Sequence, residues 1–379
     1  MSFLRVGLST TTVEPVLTHG RFDGIGVYTN ALMRNLPEAG CAVDSYAFPP
    51  ARKPALARRF SGCAMPASYP VLSIQDMVMP GATRRRMPVD VFHATDYRIV
   101  HMDCPVVATL HDAITQKHPE WCSPRLRGLK NWLQRKAARK ADHVIALSKF
   151  AVPELIKYFG VDERRITVVP CGVGDEWRET PAHLDVEETL RAYSLVRGYF
   201  LFVGTLQPRK NVERIIDAYL GLPEVVRRER QLVIVGRPGW RCEELIKKIR
   251  ATTEHGEKVV WLNNLSEQNR LRHIYAGAGV FVFPSLYEGF GIPVAEAFAS
   301  GVPVVTANTT SLPEVSQGAA LEVDPLSVNE IGAAMLDLVR NEALRERCIA
   351  AGRQRASELT WSRTAAETAV VYRSVLSRG

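Results

Sequence analysis

Short runs of apolar, mostly β-branched residues recur along the chain, and amphipathic segments separate them. The runs fall into two sets, at residues 4–8, 89–93, 106–110, 143–147 and 166–170, and at 199–203, 231–235, 259–262, 280–283 and 302–306. Nearly continuous apolar strands that alternate with helices predict parallel sheets covered by helices on both faces.

The stretch between the two sets, residues 174–197, is polar and rich in acids, so we predict that it is a linker. A length of 379 residues also favours two domains, each large enough to bury its own core. We therefore predict two doubly wound, Rossmann-like α/β domains, residues 1–180 and 181–360. The carboxyl ends of their strands are expected to face each other across a cleft that binds ligands.

Composition narrows the class of protein. Hydrophobic residues make up 46% and charged residues 23%, which excludes a disordered or fibrous chain. The longest uncharged stretch, 297–313, contains Gly, Pro and Asn and cannot form an apolar membrane span. The N-terminus lacks the features of a signal peptide, so we expect a cytoplasmic protein. Seven cysteines without a Cys-x-x-Cys pair indicate neither a disulfide framework nor a zinc knuckle.

Positive charge is concentrated in the first half of the chain. Of the net charge of +8, residues 1–180 contribute +7, with 24 Lys and Arg against 17 Asp and Glu. Such asymmetry suggests an anionic partner, either nucleic acid or lipid headgroups, although a basic solvated surface explains it as well.

The segment 125–140 holds seven cations and no acid. A helix there places Leu126, Leu129, Leu133 and Ala137 on one face, with Trp132 at its border. This pattern favours peripheral contact with the anionic inner face of the cytoplasmic membrane. The alternative is an ordinary surface helix whose apolar stripe packs on its own sheet.

The densest chemical signal lies between residues 283 and 303. A buried strand ends near Phe283, a glycine-bearing loop carries Glu288, and Pro293 is predicted to be the first residue of a helix with Glu296 in its first turn. Carboxylates beside the free N–H groups of a helix start suit a nucleotide sugar, since one can accept from a ribose diol and the other from sugar hydroxyls. Alternatively, these acids only complement the helix dipole.

A second signal combines Gly204, which follows a strand, with Arg209, Lys210 and Asn211. Asn211 is predicted to cap a helix whose buried face carries apolar residues from Val212 onward. The two cations then oppose the helix dipole, at a cost of a few tenths to about 1 kcal/mol each. A bound diphosphate makes the two positive charges favourable at this position. Alternatively, Arg209 and Lys210 are a pair of solvated loop cations.

Two weaker signals lie in the first half. Gly24 and Gly26 allow close approach of a phosphate, but Thr29 stands where a dinucleotide fingerprint needs a third glycine. His111 follows the strand 106–110, where an open α/β sheet faces its ligand. His93 also ends a strand, and we interpret it as a structural histidine.

Together these segments resemble the retaining nucleotide-sugar glycosyltransferases of GT-B architecture, in the family-four group that includes sucrose synthase-like and bacterial mannosyltransferases. The resemblance covers nearly the whole chain, and its specific element is the Glu-x7-Glu pair, Glu288 and Glu296. It extends through 144–148, 168–173, 311–314 and Thr360-Trp361. The family also implies that the last helix, residues 361–379, returns to the first domain.

The resemblance assigns roles to individual residues. It implies that Glu288 and His111 lie at the donor sugar, that Glu296 holds the ribose, and that Arg209 and Lys210 grip the diphosphate. The other donor contacts that it implies are Gly24, Gly204, Phe290, Gly291 and Ile292. The first loop departs from the family, because it reads Asp23-Gly24 where Gly-Gly is common.

We therefore predict a retaining transferase that moves a hexose, with GDP-mannose as the first candidate donor and UDP-sugars as the alternative. The acceptor is expected to be a glycan or lipid-linked glycan of polysaccharide or lipopolysaccharide assembly. No Asp-x-Asp occurs, so no metal is expected and the cations take its place. A nicotinamide-dependent dehydrogenase is disfavoured by the broken fingerprint, and a nucleic-acid-binding protein is the non-enzymatic rival suggested by a pI near 9.2.

Overall fold

The computed structural model describes residues 3–20, 22–79, 85–122, 127–265 and 267–378. The chain divides into two compact units. The first comprises Met1–Pro119, Pro124–Gly172 and Trp361–Gly379, and the second comprises Glu120–Ser123 and Val173–Thr360. The main segment of the second unit thus begins at Val173, before the predicted boundary at residue 181. The backbone N–H of Val173 donates to the carbonyl of Leu359, which ties this residue to the end of that unit.

The first unit contains a seven-stranded, all-parallel sheet in the order β3-β2-β1-β4-β5-β6-β7. Its strands are β1 (Leu4–Ser9), β2 (Cys41–Ala47), β3 (Cys63–Ala64), β4 (Val91–Ala94), β5 (Val106–Leu110), β6 (His143–Ala146) and β7 (Ile166–Val168). The apolar pattern misses two of them. β2 carries Asp44 and Ser45 in its middle, and β3 is two exposed residues at the sheet edge.

Helices cover this sheet between its strands. They are α1 (Pro15–Thr18), α2 (Gly24–Asn35), α3 (Tyr69–Val78), α4 (Ile114–Lys117), α5 (Arg127–Ala138) and α6 (Ala151–Glu154). Short 3-10 turns span Pro54–Arg59, Pro119–Trp121 and Glu163–Arg165, and a π-type turn spans Leu155–Phe159. Asp23 caps α2, since its carboxylate accepts from the backbone N–H of Gly26 at 2.9 Å.

The second unit contains a six-stranded parallel sheet in the order β10-β9-β8-β11-β12-β13. Its strands are β8 (Tyr199–Val203), β9 (Leu232–Val235), β10 (Val259–Leu262), β11 (Ala278–Phe283), β12 (Val304–Ala307) and β13 (Leu321–Val323). The central strands are almost wholly buried, as their continuous apolar runs predict.

The helices of the second unit are α7 (His183–Ala192), α8 (Val212–Leu220), α9 (Glu224–Glu229), α10 (Glu243–Glu254), α11 (Gln268–Gly277), α12 (Ile292–Ala299), α13 (Leu312–Ser316), α14 (Val328–Arg340) and α15 (Glu342–Glu358), with 3-10 turns at Asp175–Trp177 and Pro208–Lys210. The prediction of a linker at 174–197 is wrong, because α7 lies within it. α7 buries Val186 and Leu190 and turns its acids outward, so a polar composition concealed an amphipathic helix.

The last helix, α16 (Trp361–Leu376), belongs to the first unit although the second unit precedes it in sequence. Its Thr364 hydroxyl donates to the carbonyl of Pro170 at 2.8 Å. Its buried face includes Ala365, Thr368 and Tyr372, and it packs on α2 and β6. No helix within the described ranges is both long and apolar enough to cross a membrane.

Each sheet reverses its strand order at one place, between β1 and β4 in the first unit and between β8 and β11 in the second. In open parallel sheets the loops at the carboxyl ends of the strands beside such a reversal form the ligand crevice. Two of the sequence motifs fall on the loops that follow β8 and β11.

Candidate active site

The loops after β8 and β11 are joined directly. The backbone N–H of Leu286 donates to the carbonyl of Arg209 at 2.8 Å. In return the Arg209 guanidinium donates to the carbonyl of Tyr287 at 3.0 Å. The two motifs, with Arg209 and Glu288 79 residues apart in sequence, therefore form one site at the reversal of the second sheet.

Arg209, Lys210 and Glu288 form an ion cluster in this site. The two oxygens of Glu288 accept one hydrogen bond each, from Arg209 Nη1 at 2.9 Å and from Lys210 Nζ at 2.6 Å. The Lys210 ammonium also lies 4.7 Å from the ring centroid of Phe283. Lys210 and Glu288 are each only 7% exposed. The interpretation of the cations as solvated loop residues is therefore wrong.

Burial and charge act in opposite directions on Glu288. Burial raises the pKa of this carboxyl, but the charges of Arg209 and Lys210 and the hydrogen bond from Lys210 outweigh it, so that the pKa is lowered. Glu288 is thus ionised at neutral pH, and the stability that it contributes is lost as the pH falls through its lowered pKa. With two cations and one carboxylate, the cluster keeps one net positive charge.

Asn211 does not cap α8, contrary to the sequence-based prediction. Its backbone is left-handed at φ 61°, and its side-chain oxygen accepts from the Arg214 guanidinium at 2.9 Å rather than from a backbone N–H of the helix. Its amide instead donates to the carbonyls of Pro284 and Pro325, at 2.9 and 2.6 Å. Asn adopts this backbone conformation more readily than most residues, which frees its amide to join three loops. The buried apolar face predicted for α8 is confirmed.

The loop that carries Glu288 is held at its far end by Ser311. The Ser311 hydroxyl lies 2.9 Å from the carbonyl of Glu288 and 2.8 Å from that of Phe290. Gly291 follows at φ 114°, a conformation that favours glycine. α12 then begins at Ile292, so the prediction that Pro293 is its first residue is off by one.

Glu296 consequently lies beyond the first turn of α12. The Tyr275 hydroxyl donates to its Oε2 atom at 3.2 Å. Burial, with a smaller contribution from the charge of Glu176, raises the pKa of Glu296 to about 7. Near neutral pH this carboxyl therefore exchanges between an acceptor and a donor of hydrogen bonds. The sequence pattern gave no indication of the partner Tyr275.

Two glycines bring the loops after β8 and β9 into contact. The N–H of Gly204 donates to the carbonyl of Val235 at 2.9 Å. A Cβ atom on Gly236, which has φ 157°, would lie 1.8 Å from the carbonyl oxygen of Gly204. Gly236 thus fixes the start of the cation-bearing loop. Gly236 was not predicted from the sequence, although a glycine directly after an apolar strand is the available signal.

His111 follows β5 in the first unit and is 9% exposed. Its Nε2 lies 2.8 Å from the carbonyl oxygen of Thr95, so Nε2 carries the hydrogen and Nδ1 the lone pair. The edge-to-face contact with Tyr28 has a centroid distance of 5.2 Å. Burial lowers the pKa of His111, which keeps the imidazole neutral at pH 7.

The other predicted residues of the first unit divide into two kinds. Gly24 is the first residue of α2, and a Cβ there would meet nothing within 4 Å. Gly26 is the tighter position, because its Cβ would lie 2.9 Å from the Cβ of Phe22. His93 is fully buried and bonds Tyr372 and Thr109 through its two ring nitrogens, which confirms the structural interpretation.

Two Rossmann-like units, with a desolvated cation pair at the strand reversal of the second, define the class as a GT-B glycosyltransferase. Family models agree, because Glycosyltransferase Family 4 matches residues 22–177 and Glycosyl transferases group 1 matches residues 194–355. The chain is 32% identical to O-antigen chain mannosyltransferase B of Escherichia coli over 288 residues, 75% of this chain and 74% of that protein. The protein therefore belongs to this family of glycosyltransferases.

Other similarities are broader. Glycogen synthase of Mycobacterium tuberculosis is 28% identical over 320 residues, which span 76% of this chain and 70% of that protein. Among solved structures, sucrose-phosphate synthase from Thermosynechococcus elongatus superposes with a TM-score of 0.74 at 19% identity, covering 99% of this chain and all of that one. At this identity the structural match supports the fold.

Proposed function

We propose that the protein transfers mannose from GDP-mannose to a hydroxyl of a glycan or lipid-linked glycan in polysaccharide or lipopolysaccharide assembly, with retention at the anomeric carbon. The buried cluster of Arg209, Lys210 and Glu288 is the observation that carries the transfer chemistry. Similarity to the Escherichia coli O-antigen mannosyltransferase supports the choice of mannose and of a glycan acceptor.

In this proposal the cluster stabilises the leaving nucleoside diphosphate. Arg209 offers a planar fork and Lys210 a point charge to phosphate oxygens, and an ammonium has enough donors to keep Glu288 as well. Cations that are already held and desolvated interact strongly with charge that develops in the transition state. They supply the stabilisation that a bridging metal gives elsewhere, so no metal cofactor is required.

The remaining residues address hydroxyl groups. The Glu296 carboxylate accepts from the ribose diol when it is ionised, and Glu288 accepts from hydroxyls of the sugar. His111, as a neutral imidazole, accepts a sugar hydroxyl at Nδ1 and contributes from the first unit. Gly24, Gly204, Phe290, Gly291 and Ile292 are proposed to contact the donor through the backbone.

A panel of nucleotide sugars tests the donor. GDP-mannose, UDP-glucose and ADP-glucose are each scored for nucleotide release with a glycan acceptor and for a rise in the thermal midpoint, since a ligand that binds only the native state stabilises it. A response to a UDP-sugar alone would exclude GDP-mannose. NADH oxidation or salt-dependent DNA binding without nucleotide release would support the rival classes, and we propose no nucleic-acid partner.

Mechanism is tested on the same reaction. Turnover is expected to persist in EDTA, because side-chain cations meet the charge of the leaving group. The NMR spectrum of the product is expected to show the anomeric configuration of the donor. Inverted product contradicts retention, and loss of turnover with EDTA that returning Mg²⁺ restores contradicts metal independence.

We also propose that the first unit contacts an anionic membrane peripherally through α5, which suits a lipid-linked acceptor. Leu129 and Trp132 on this helix are 53% and 43% exposed, so this part of the predicted apolar stripe does not pack on the sheet. Lys130, Arg135 and Lys136 are exposed beside them. Apolar and aromatic side chains flanked by cations are typical of interfacial helices. Arg125 and Leu126 of the predicted segment lie outside the described residues.

An exposed apolar row on α3 supports the same surface. Val71, Ile74 and Val78 are spaced as one helical face and are all exposed. α3 and α5 cover the same face of the sheet, because the crossovers β3 to β4 and β5 to β6 run in the same direction across it and such crossovers are right-handed. Lys140, just after α5, donates to the carbonyl of Asp76 on α3 at 3.4 Å. The two helices together offer apolar groups and positive charge to a lipid surface.

A further inference from the structure

Four buried side chains of the first unit form a chain of hydrogen bonds, which we call the circuit. Tyr372 Oη lies 2.6 Å from His93 Nδ1, and His93 Nε2 lies 2.8 Å from Thr109 Oγ1. Thr109 Oγ1 lies 2.9 Å from Tyr28 Oη. All four residues have no exposed surface. The circuit runs from α16 through β4 and β5 to α2, which packs on α16.

Donation runs in one direction along the circuit. Thr109 has one hydroxyl hydrogen, which it gives either to Tyr28 or to His93. Its oxygen then accepts from the other of the two.

His93 takes part in the same direction of donation. Its imidazole is neutral, because burial, with a smaller contribution from the nearby His111, lowers the pKa of His93 to about 3. One ring nitrogen therefore donates and the other accepts, in its bonds to Tyr372 and Thr109. Removing one hydroxyl thus removes the partner of the next group.

The circuit reaches His111 through Tyr28. The Tyr28 ring meets the His111 imidazole at an interplanar angle of 86°, while the opposite constraint on His111 is its bond to the Thr95 carbonyl. Tyr28 also makes an edge contact with Trp361 on α16, at 6.2 Å between centroids. The orientation of the His111 ring therefore depends on a tyrosine whose hydroxyl is held by β5 and whose ring contacts α16.

We propose that Tyr28, His93 and Tyr372 are positioning residues that set the orientation of His111. Because Tyr372 lies on α16, this helix then contributes to the ligand-binding edge of the first unit. The role of His111 in transfer rests on the proposed function. The positioning itself does not, because the contacts that carry it lie within the first unit.

Tyr372→Phe is the sharpest test, since Tyr372 is three hydrogen bonds of the circuit away from Tyr28 and the change keeps the buried ring. We expect kcat to fall about tenfold with the donor KM unchanged, because a misplaced group lowers the rate more than binding. The imidazole ¹⁵N resonances of His111 are expected to shift. Tyr199→Phe is the matched control, because it removes a buried tyrosine hydroxyl that donates to the carbonyl of Ile274 in the second unit.

A second pair of variants separates positioning from packing. Thr109→Ser keeps the hydroxyl that joins His93 to Tyr28 and is expected to retain kcat and the His111 resonances, whereas Thr109→Val is expected to lose both. Variants that lower the thermal midpoint as Tyr199→Phe does, while kcat and the His111 resonances stay at wild-type values, would overturn the proposal. If wild-type protein transfers no sugar, the proposed function fails, and the resonances of His111 still decide whether the circuit positions it.

Discussion

The two units build the same kind of parallel sheet but hold their buried polar groups in different ways. At its strand reversal the second unit gathers two cations and one carboxylate within hydrogen-bond distance. Beside its own reversal the first unit buries imidazole and hydroxyl groups, joined in chains of neutral hydrogen bonds. The charged cluster keeps one net positive charge that suits an anionic ligand. The neutral groups of the first unit use their hydrogen-bonding capacity on one another.

The two units also show two ways in which the protonation state of a buried group is set. Glu288 stays charged because its partners outweigh its burial, and His93 stays neutral because burial dominates. Charged sites are therefore expected to respond most to removal of a partner. Neutral sites are expected to respond most to loss of geometry.

The largest effect is expected from Lys210→Ala. Loss of this cation is expected to lower kcat about 10²- to 10³-fold, because it removes charge stabilisation in the transition state. Steady-state kinetics with the thermal midpoint measured in parallel checks this. Lys248→Ala, which breaks a partly exposed ion pair with Asp217, is the control with expected wild-type kinetics. An unchanged kcat for Lys210→Ala would contradict a role of Lys210 in stabilising the transition state.

A smaller loss, about tenfold to a hundredfold in kcat, is expected from His111→Ala, since a neutral imidazole contributes orientation rather than charge. The thermal midpoint is expected to fall as well, because the change removes the hydrogen bond to the Thr95 carbonyl and the packing against Tyr28. Full turnover combined with a lower midpoint would make His111 a structural residue, and the contrast between the units would then concern stability alone.

Glu296 is expected to give a pH-dependent change in donor affinity. Its pKa of about 7 means that the carboxylate needed to accept from ribose forms as the pH rises through neutrality, so the donor KM is expected to fall over that range. Glu296→Gln is expected to raise KM with little change in kcat and to abolish this pH dependence. An identical KM profile for both proteins would refute a role in donor binding.

The raised pKa of Glu296 also makes the stability of the folded protein depend on pH in a defined direction. The raised pKa means that the folded protein retains a proton between about pH 4.5 and 7 that the unfolded chain releases. This contribution to stability is present below that window and is lost as the pH rises through it. The difference in thermal midpoint between wild type and Glu296→Gln is expected to follow that course.

The smallest effect on catalysis is expected at α5. Replacing Lys130, Arg135 and Lys136 by Gln is expected to weaken binding to anionic vesicles, and salt is expected to weaken wild-type binding. Hydrolysis of soluble donor is expected to persist. The matched control replaces Lys247, Arg250 and Arg347, exposed cations of the second unit. Equal binding of the wild type to neutral and anionic vesicles would contradict a charged lipid surface.

Much of the fold was predictable because long buried strands have a strong apolar signature. β8, β9 and β11 were found from continuous apolar runs, whereas β3 and β13 were not. β3 is two exposed residues, and β13 has Glu322 between its two apolar residues, so neither strand forms an apolar run. α7 was missed for a different reason, since composition alone concealed the spacing of Val186 and Leu190.

The site was predictable in its residue types and not in their pairing. Charge near a helix start indicated Arg209 and Lys210, but their bond to Glu288 spans 78 or more residues, and no local rule reports it. The prediction that Asn211 caps α8 is wrong, because its backbone is left-handed and its side-chain amide donates to two carbonyls that are distant in sequence. Tertiary partners decide such cases, and a single sequence shows them only as residue types.

The position of α16 has a consequence for the order of synthesis. The ribosome completes residues 1–172 long before the helix that closes their unit, and the intervening 173–360 take roughly 10 to 40 s at about 5 to 20 residues per second. During that interval His93 lacks its hydrogen bond to Tyr372, and Tyr28 lacks the ring of Trp361 against which it packs. The second unit, which needs no residue beyond Thr360, can close first. The nascent chain thus carries an N-terminal sheet that α16 does not yet cover, while the second unit is complete. The uncovered N-terminal sheet is the surface that chaperones would have to cover.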